Sequence, residues 1–113
     1  MITIMQGSSR SLSVTLKDVN NDPIVPTGYE NIILELYHES GGKILAKYST
    51  KQTNGYDLAG VQGNVITFFV RSGSSLTFPP GKIVGKFTLV ADGQSSTTDQ
   101  VSMGRGVIFN VVI

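Results

Sequence analysis

Ser11-Leu-Ser-Val-Thr-Leu-Lys17 decides the fold class. Leu12, Val14 and Leu16 fall on one side of an extended chain, and Ser11, Ser13, Thr15 and Lys17 fall on the other. Strict alternation of this kind makes a half-buried β-strand, because successive side chains on a strand point to opposite faces. The pattern recurs along the chain. Ile32, Leu34 and Leu36 alternate with Ile33, Glu35 and Tyr37; Phe87, Leu89 and Ala91 alternate with Lys86, Thr88 and Val90. Ile66, Phe68 and Val70 alternate with Val65, Thr67 and Phe69, a segment apolar on both faces. No window sustains apolar residues at the i, i+3, i+4, i+7 spacing of an amphipathic helix. Strands are expected near 2–5, 11–17, 31–39, 43–49, 64–71, 82–91 and 105–113.

Turn residues fall between these runs. Ser40-Gly-Gly42 reads as a hairpin turn between 31–39 and 43–49, and Pro79-Pro-Gly81 excludes a central strand just before residue 82. Asp92-Gly93 is read as the opening of a polar Ser/Thr loop. About seven short strands with such punctuation predict an all-β protein: a two-sheet antiparallel β-sandwich, immunoglobulin-like in architecture, in one domain over 1–113. Its expected inward set is Leu12, Val14, Leu16, Ile32, Leu34, Leu36, Ile66, Phe68, Phe87 and Leu89. The antibody-type Cys–Trp–Cys core is ruled out, because the chain has neither Cys nor Trp.

Composition narrows the chemistry. Of 113 residues 40% are hydrophobic and 15% charged, which suits a packed domain rather than a disordered one. A net charge of +1, with nine basic residues scattered among eight acidic ones, gives no electrostatic case for nucleic acid or an anionic membrane. Without Cys and with His38 alone, a thiolate metal site, a cysteine nucleophile and a paired-His relay are all excluded within one chain. Glu35 and Glu39 share a strand face but stand about 13 Å apart, too far for a retaining glycosidase pair. Asp18, Asn20 and Asp22 have the spacing that begins a calcium loop, yet Pro23 occupies the glycine position, so an interstrand turn is expected. No Gly-x-Ser-x-Gly elbow and no phosphate loop occurs. The expectation is a protein that is not an enzyme, with no catalytic residues, metal or cofactor.

The start of the chain lacks a signal peptide's basic flank and apolar run, and no stretch is long enough to span a bilayer as a helix. A strand is expected almost from Met1 and another up to Ile113, so the chain reads as a whole small protein without a linker. The last run places Val107, Phe109, Val111 and Ile113 on one face and Ile108 and Val112 on the other. Both faces are apolar, so the second needs a central position, a covering loop or another subunit. Tyr29, Tyr37, Tyr56 and Phe78 are the aromatics expected at the surface. The candidate protein-contact residues are therefore Tyr29, Tyr37, Phe78, Ile108 and Val112.

Several stretches together resemble a family. Ile4-Met-Gln-Gly7, Leu12-Ser-Val-Thr-Leu-Lys-Asp18, Pro23-Ile-Val-Pro-Thr-Gly28 and Ile32-Ile-Leu-Glu-Leu36 follow one another in a familiar order. Gly63-Asn-Val-Ile-Thr-Phe-Phe69 and Pro80-Gly81 ahead of 82–90 continue it. The chain resembles the immunoglobulin-like β-sandwich modules of tailed-phage structural proteins, such as the N-terminal domains of upper baseplate proteins. Ser8-Ser9 stands where those modules often carry Asp-Thr. The resemblance implies an accessory virion protein of a bacteriophage or prophage, made in the host cytoplasm and localised to the particle. Its implied partners are other virion proteins of the capsid, neck, baseplate or fibre, and further copies of itself. The alternative is a carbohydrate-binding module for a host-surface glycan, built on Tyr29, Tyr56 or Phe78.

Overall fold

A computed structural model describes residues 2–17, 20, 22–91, 94–98, 100–101, 104–105 and 107–113, the side chains of 94–107 excepted. The strands are β1 (Ile2–Met5), β2 (Arg10–Thr15), β3 (Asn31–His38), β4 (Ala46–Ser49), β5 (Asp57–Leu58), β6 (Gly60–Gln62), β7 (Val65–Val70), β8 (Gly81–Ala91), β9 (Gln94–Thr98), β10 (Gln100–Val101), β11 (Gly104–Arg105) and β12 (Val107–Val112). A 3₁₀ turn at Pro26–Gly28 and a single helical turn, α1 (Ser72–Ser75), are the helical elements described. The larger sheet has seven strands in the order β1-β12-β8-β3-β4-β5, with β9 also on β8; the smaller has the order β2-β7-β6.

The two sheets share one core. Leu12, Val14, Leu16, Ile66, Phe68 and Val70 of the smaller sheet's chain segments pack with Ile32, Leu34, Leu36, Tyr48, Ile83, Phe87 and Leu89 of the larger. All ten residues of the expected inward set are buried there. Tyr48 on β4 and Phe68 on β7 meet across the interior with ring centroids 5.0 Å apart. The chain is therefore all-β, with two sheets packed as a sandwich.

Strand β8 organises the larger sheet because one edge of it serves two partners. Its first half pairs with β12, Gly81 opposite Val111 and Val84 opposite Val107. Its second half pairs with β9, Phe87 opposite Thr98 and Ala91 opposite Gln94. The chain leaves the sheet after Thr98, makes the small β10–β11 hairpin, and re-enters beside Val84. The Ser/Thr segment expected as a loop is thus strand β9, held by backbone pairing to β8 that its polar composition does not announce. The expected strand 105–113 begins at Val107, because Arg105 belongs to the hairpin. Asp18, of the calcium-like spacing, and the Asp92-Gly93 turn lie outside the described residues.

Two expectations fail for one reason each. Ile108 is fully buried rather than outward-facing. The register of β12 on β8 shifts between Val107 and Phe109, so one extra residue is inserted opposite Val84–Ile83. Such a β-bulge breaks the two-residue alternation, and Ile108 joins Phe109 inside. Phe78 is fully buried because the α1 turn folds it inward, where its ring stacks on Phe109 at 6.1 Å. Gln6 Nε2 donates to the Phe78 carbonyl at 2.7 Å, tying this turn to the end of β1.

His38 closes the same end of the larger sheet, where β3 finishes beside the start of β8. Its Nε2 lies 2.9 Å from the Pro80 carbonyl, and the Ser40 backbone N–H donates to Nδ1 at 3.1 Å. A carbonyl requires Nε2–H and a backbone donor requires a bare Nδ1, so the pair selects the neutral Nε2–H tautomer. The ring sits against Gly81, where φ is +122° and an added Cβ would stand 2.7 Å from Nε2. Gly81→Ala is expected to destabilise the fold by about 2 kcal/mol or more, through backbone strain and displacement of the imidazole. Urea unfolding monitored by circular dichroism measures it. A variant as stable as the parent would mean that the imidazole does not pack tightly on Gly81.

Candidate functional site

The outer face of the larger sheet carries charged and aromatic side chains. Register places Lys86, Glu35 and Lys47 in one row across β8, β3 and β4, and Val84 beside Tyr37 in the next. The Lys47 ammonium lies 4.8 Å from the centroid of the Tyr56 ring, within cation–π range. Tyr56 is brought there by the loop after β4, which is anchored at its base. Buried Ser49 lies within hydrogen-bond distance of Asn31 Oδ1 at 2.8 Å and of Thr53 Oγ1 at 3.1 Å, while the Thr50 hydroxyl accepts from the Ile32 N–H at 2.9 Å. No buried side-chain polar atom among the described residues lacks a partner.

Tyr37 and Val112 lie on this face, both half-buried. Val112 stands beside Met5 of β1, which is 60% exposed. Two strand spacings and about four residues separate Val112 from Tyr37, roughly 16 Å, so one interface patch of standard size spans both. Tyr29 does not join them. It precedes β3, at the other end from Tyr37 and about 26 Å along the strand, and it is half-buried against the core. Phe78 and Ile108 are interior, so they present no contact surface. The lysines, Glu35, Val84 and Met5 complete the face, and strand parity was the signal that could have found them.

Among the described residues no three His, Asp or Glu side chains converge as a metal site. Both ring nitrogens of His38 are already engaged. The ion pair of Arg71 with Asp57, at 3.3 Å, is largely solvent-exposed. It borders the buried hydroxyl of Tyr48, which donates to the Phe69 carbonyl at 3.2 Å. Burial pushes the Tyr48 phenol up from 10.0 to about 12, with Asp57 adding to the shift and Arg71 opposing it. The folded state therefore holds this proton more tightly than the unfolded chain does. Stability from Tyr48 is fully present below pH 10 and is lost as pH rises towards 12. Tyr48→Phe should flatten that alkaline decline while costing about 1 kcal/mol at neutral pH. Urea midpoints measured at several pH values, compared between the two proteins, check both.

The outer face of the smaller sheet is different in kind. Within the three strands Ser11, Ser13, Thr15, Gln62, Val65, Thr67 and Phe69 form it, without a charged side chain; Lys17 follows β2 on the same side. Ser13 and Thr67 hydrogen-bond across it at 3.1 Å, and Phe69 is 49% exposed.

No family model, no curated protein and no solved structure matches the chain. No helix among the described residues is long and apolar enough to cross a membrane.

Proposed function

We propose that this chain is a non-enzymatic structural protein of a tailed bacteriophage or prophage, an accessory part of the virion that works by protein–protein contact. The observation that carries the reading is strand connectivity. The orders β2-β7-β6 and β12-β8-β3-β4 are those expected of strands B-E-D and G-F-C-C′ if the sandwich is immunoglobulin-like. This order supports the immunoglobulin-like assignment and, with it, the likeness to tailed-phage modules. The expected partners are capsid, neck, baseplate or fibre proteins, met through the face around Tyr37, Val84, Lys86 and Val112.

The carbohydrate-binding alternative needs an open aromatic platform. Phe78 is interior, Tyr29 packs against the core, and Lys47 occupies one face of Tyr56. The protein-contact reading is preferred on that ground.

Mass spectrometry of purified particles from the encoding strain tests the proposal. The protein is expected in the particle fraction, and Tyr37→Ala with Lys86→Glu should reduce its incorporation severalfold without lowering its melting temperature. Absence from particles, with the gene set among secreted polysaccharide-degrading enzymes, overturns it.

A further inference from the structure

Strand β2 stands at the end of the smaller sheet, paired only with β7 among the described residues. Among the described edge strands β2 is the longest at six residues, against five for β9, four for β1, three for β6 and two for β5. The β1 edge is blunted, because the Arg10 guanidinium donates to the Thr3 carbonyl at 3.4 Å. No described backbone hydrogen bond beyond the sheet ladders involves residues 10–15.

The direction of the β2 backbone groups follows from the ladder. Residues of an antiparallel strand alternate between those that turn N–H and C=O towards a given neighbour and those that turn both away. The β6–β7 hairpin has two residues between Gln62 and Val65, so Val65 and Thr67 turn their groups towards β6. The Phe69 carbonyl keeps this parity, accepting from Tyr48 rather than from β2. Ile66, Phe68 and Val70 therefore bond β2 through Val14, Leu12 and Arg10. Ser11, Ser13 and Thr15 are left with N–H and C=O pointing out of the sheet, two residues apart, a spacing that an extended strand matches.

We propose that a second copy of this chain fills that edge, its β2 antiparallel to the first about a two-fold axis at Ser13. In this register Ser13 faces Ser13 of the second copy and Ser11 faces Thr15, so all three outward-pointing residues form reciprocal hydrogen-bonded pairs. Leu12 falls opposite Val14 and Arg10 opposite Leu16, so no like charges face each other. The contact is isologous and closes on itself, joining two three-stranded sheets into one of six strands. The outer face of the smaller sheet, free of charged side chains within its strands, runs on across the junction without repulsion.

Light scattering on the purified chain from micromolar to millimolar concentration tests the pairing, together with amide hydrogen exchange. The expected result is a mass that doubles with concentration, and slowed exchange at Ser11, Ser13 and Thr15. Ser13→Pro deletes an N–H that the monomer does not use, and it should abolish the dimer while leaving the melting temperature near that of the parent. Should that variant fail to fold, Ser13→Lys and Ser13→Asp provide a second route at the same exposed position. Each alone places like charges face to face and should weaken the dimer severalfold, and an equal mixture should restore it. A monomer throughout, a dimer indifferent to these three substitutions, or protection on β9 instead of β2 overturns the proposal. The particle proposal stands or falls separately, on the mass spectrometry above.

Discussion

Ile108→Lys should leave no native protein. The side chain is fully buried, and it fills the space that Gly85 leaves on β8: a Cβ at Gly85 would clash with Ile108 Cδ1 and stand 3.1 Å from Leu34 Cδ1. A lysine there places an unpaired ammonium among apolar groups, at a cost of several kcal/mol against a total stability of about 5–15 kcal/mol. The expected observation is loss of near-ultraviolet circular dichroism and of a cooperative melt. Val112→Lys serves as the contrast, since Val112 is half-buried on the outer face and that variant should fold. If both variants fold alike, Ile108 is not core and the bulge assignment is wrong. A milder test exposes the coupling itself. Gly85→Ala and Ile108→Val should each destabilise, by about 1–3 and about 0.5–1.5 kcal/mol. The double variant should cost less than their sum, because Ile108→Val removes the clashing methyl.

Phe78→Ala should cost about 3–5 kcal/mol, the usual loss for an aromatic side chain deleted from a core. Phe78 is fully buried, stacks on Phe109 and sits in the turn whose carbonyl Gln6 binds. The deletion removes the ring that seals the end of the sandwich between β1 and α1, so a fall in melting temperature of about 10 °C or more is expected. Tyr37→Ala should change it far less. A melt in which the two variants are equally affected would mean that Phe78 is no more structural than the surface tyrosine.

At these two residues the two-residue period ceases to report burial. The segments around Leu12, Leu34, Phe68 and Phe87 were legible because they are regular. Each keeps a two-residue period through its length, and every inward residue named from that period is buried. Ile108 was misplaced by the same rule, since a single inserted residue reverses the parity of everything beside it. Phe78 follows a double proline region and a helical turn, where no period exists to read. Strand β9 was hidden by its Ser/Thr composition, which suits a loop as well as a strand whose pairing is mostly backbone. Of the contact candidates, Tyr37 and Val112 share the outer face of the larger sheet, whereas Tyr29 stands at its far end.

What the amino-acid sequence determined by itself was the class of structure. Alternating apolar residues specify half-buried strands, and the absence of Cys excludes a disulfide and a cysteine nucleophile. What only the tertiary structure decided was which surfaces remain available. Whether Ile108 is a contact or a core residue depends on a bulge in its register with β8, and the open edge of β2 depends on β1 pairing with β12 instead. Both are properties of strands distant in the chain. Local periodicity says which side of a strand is apolar; it carries no information about which neighbour that strand will find.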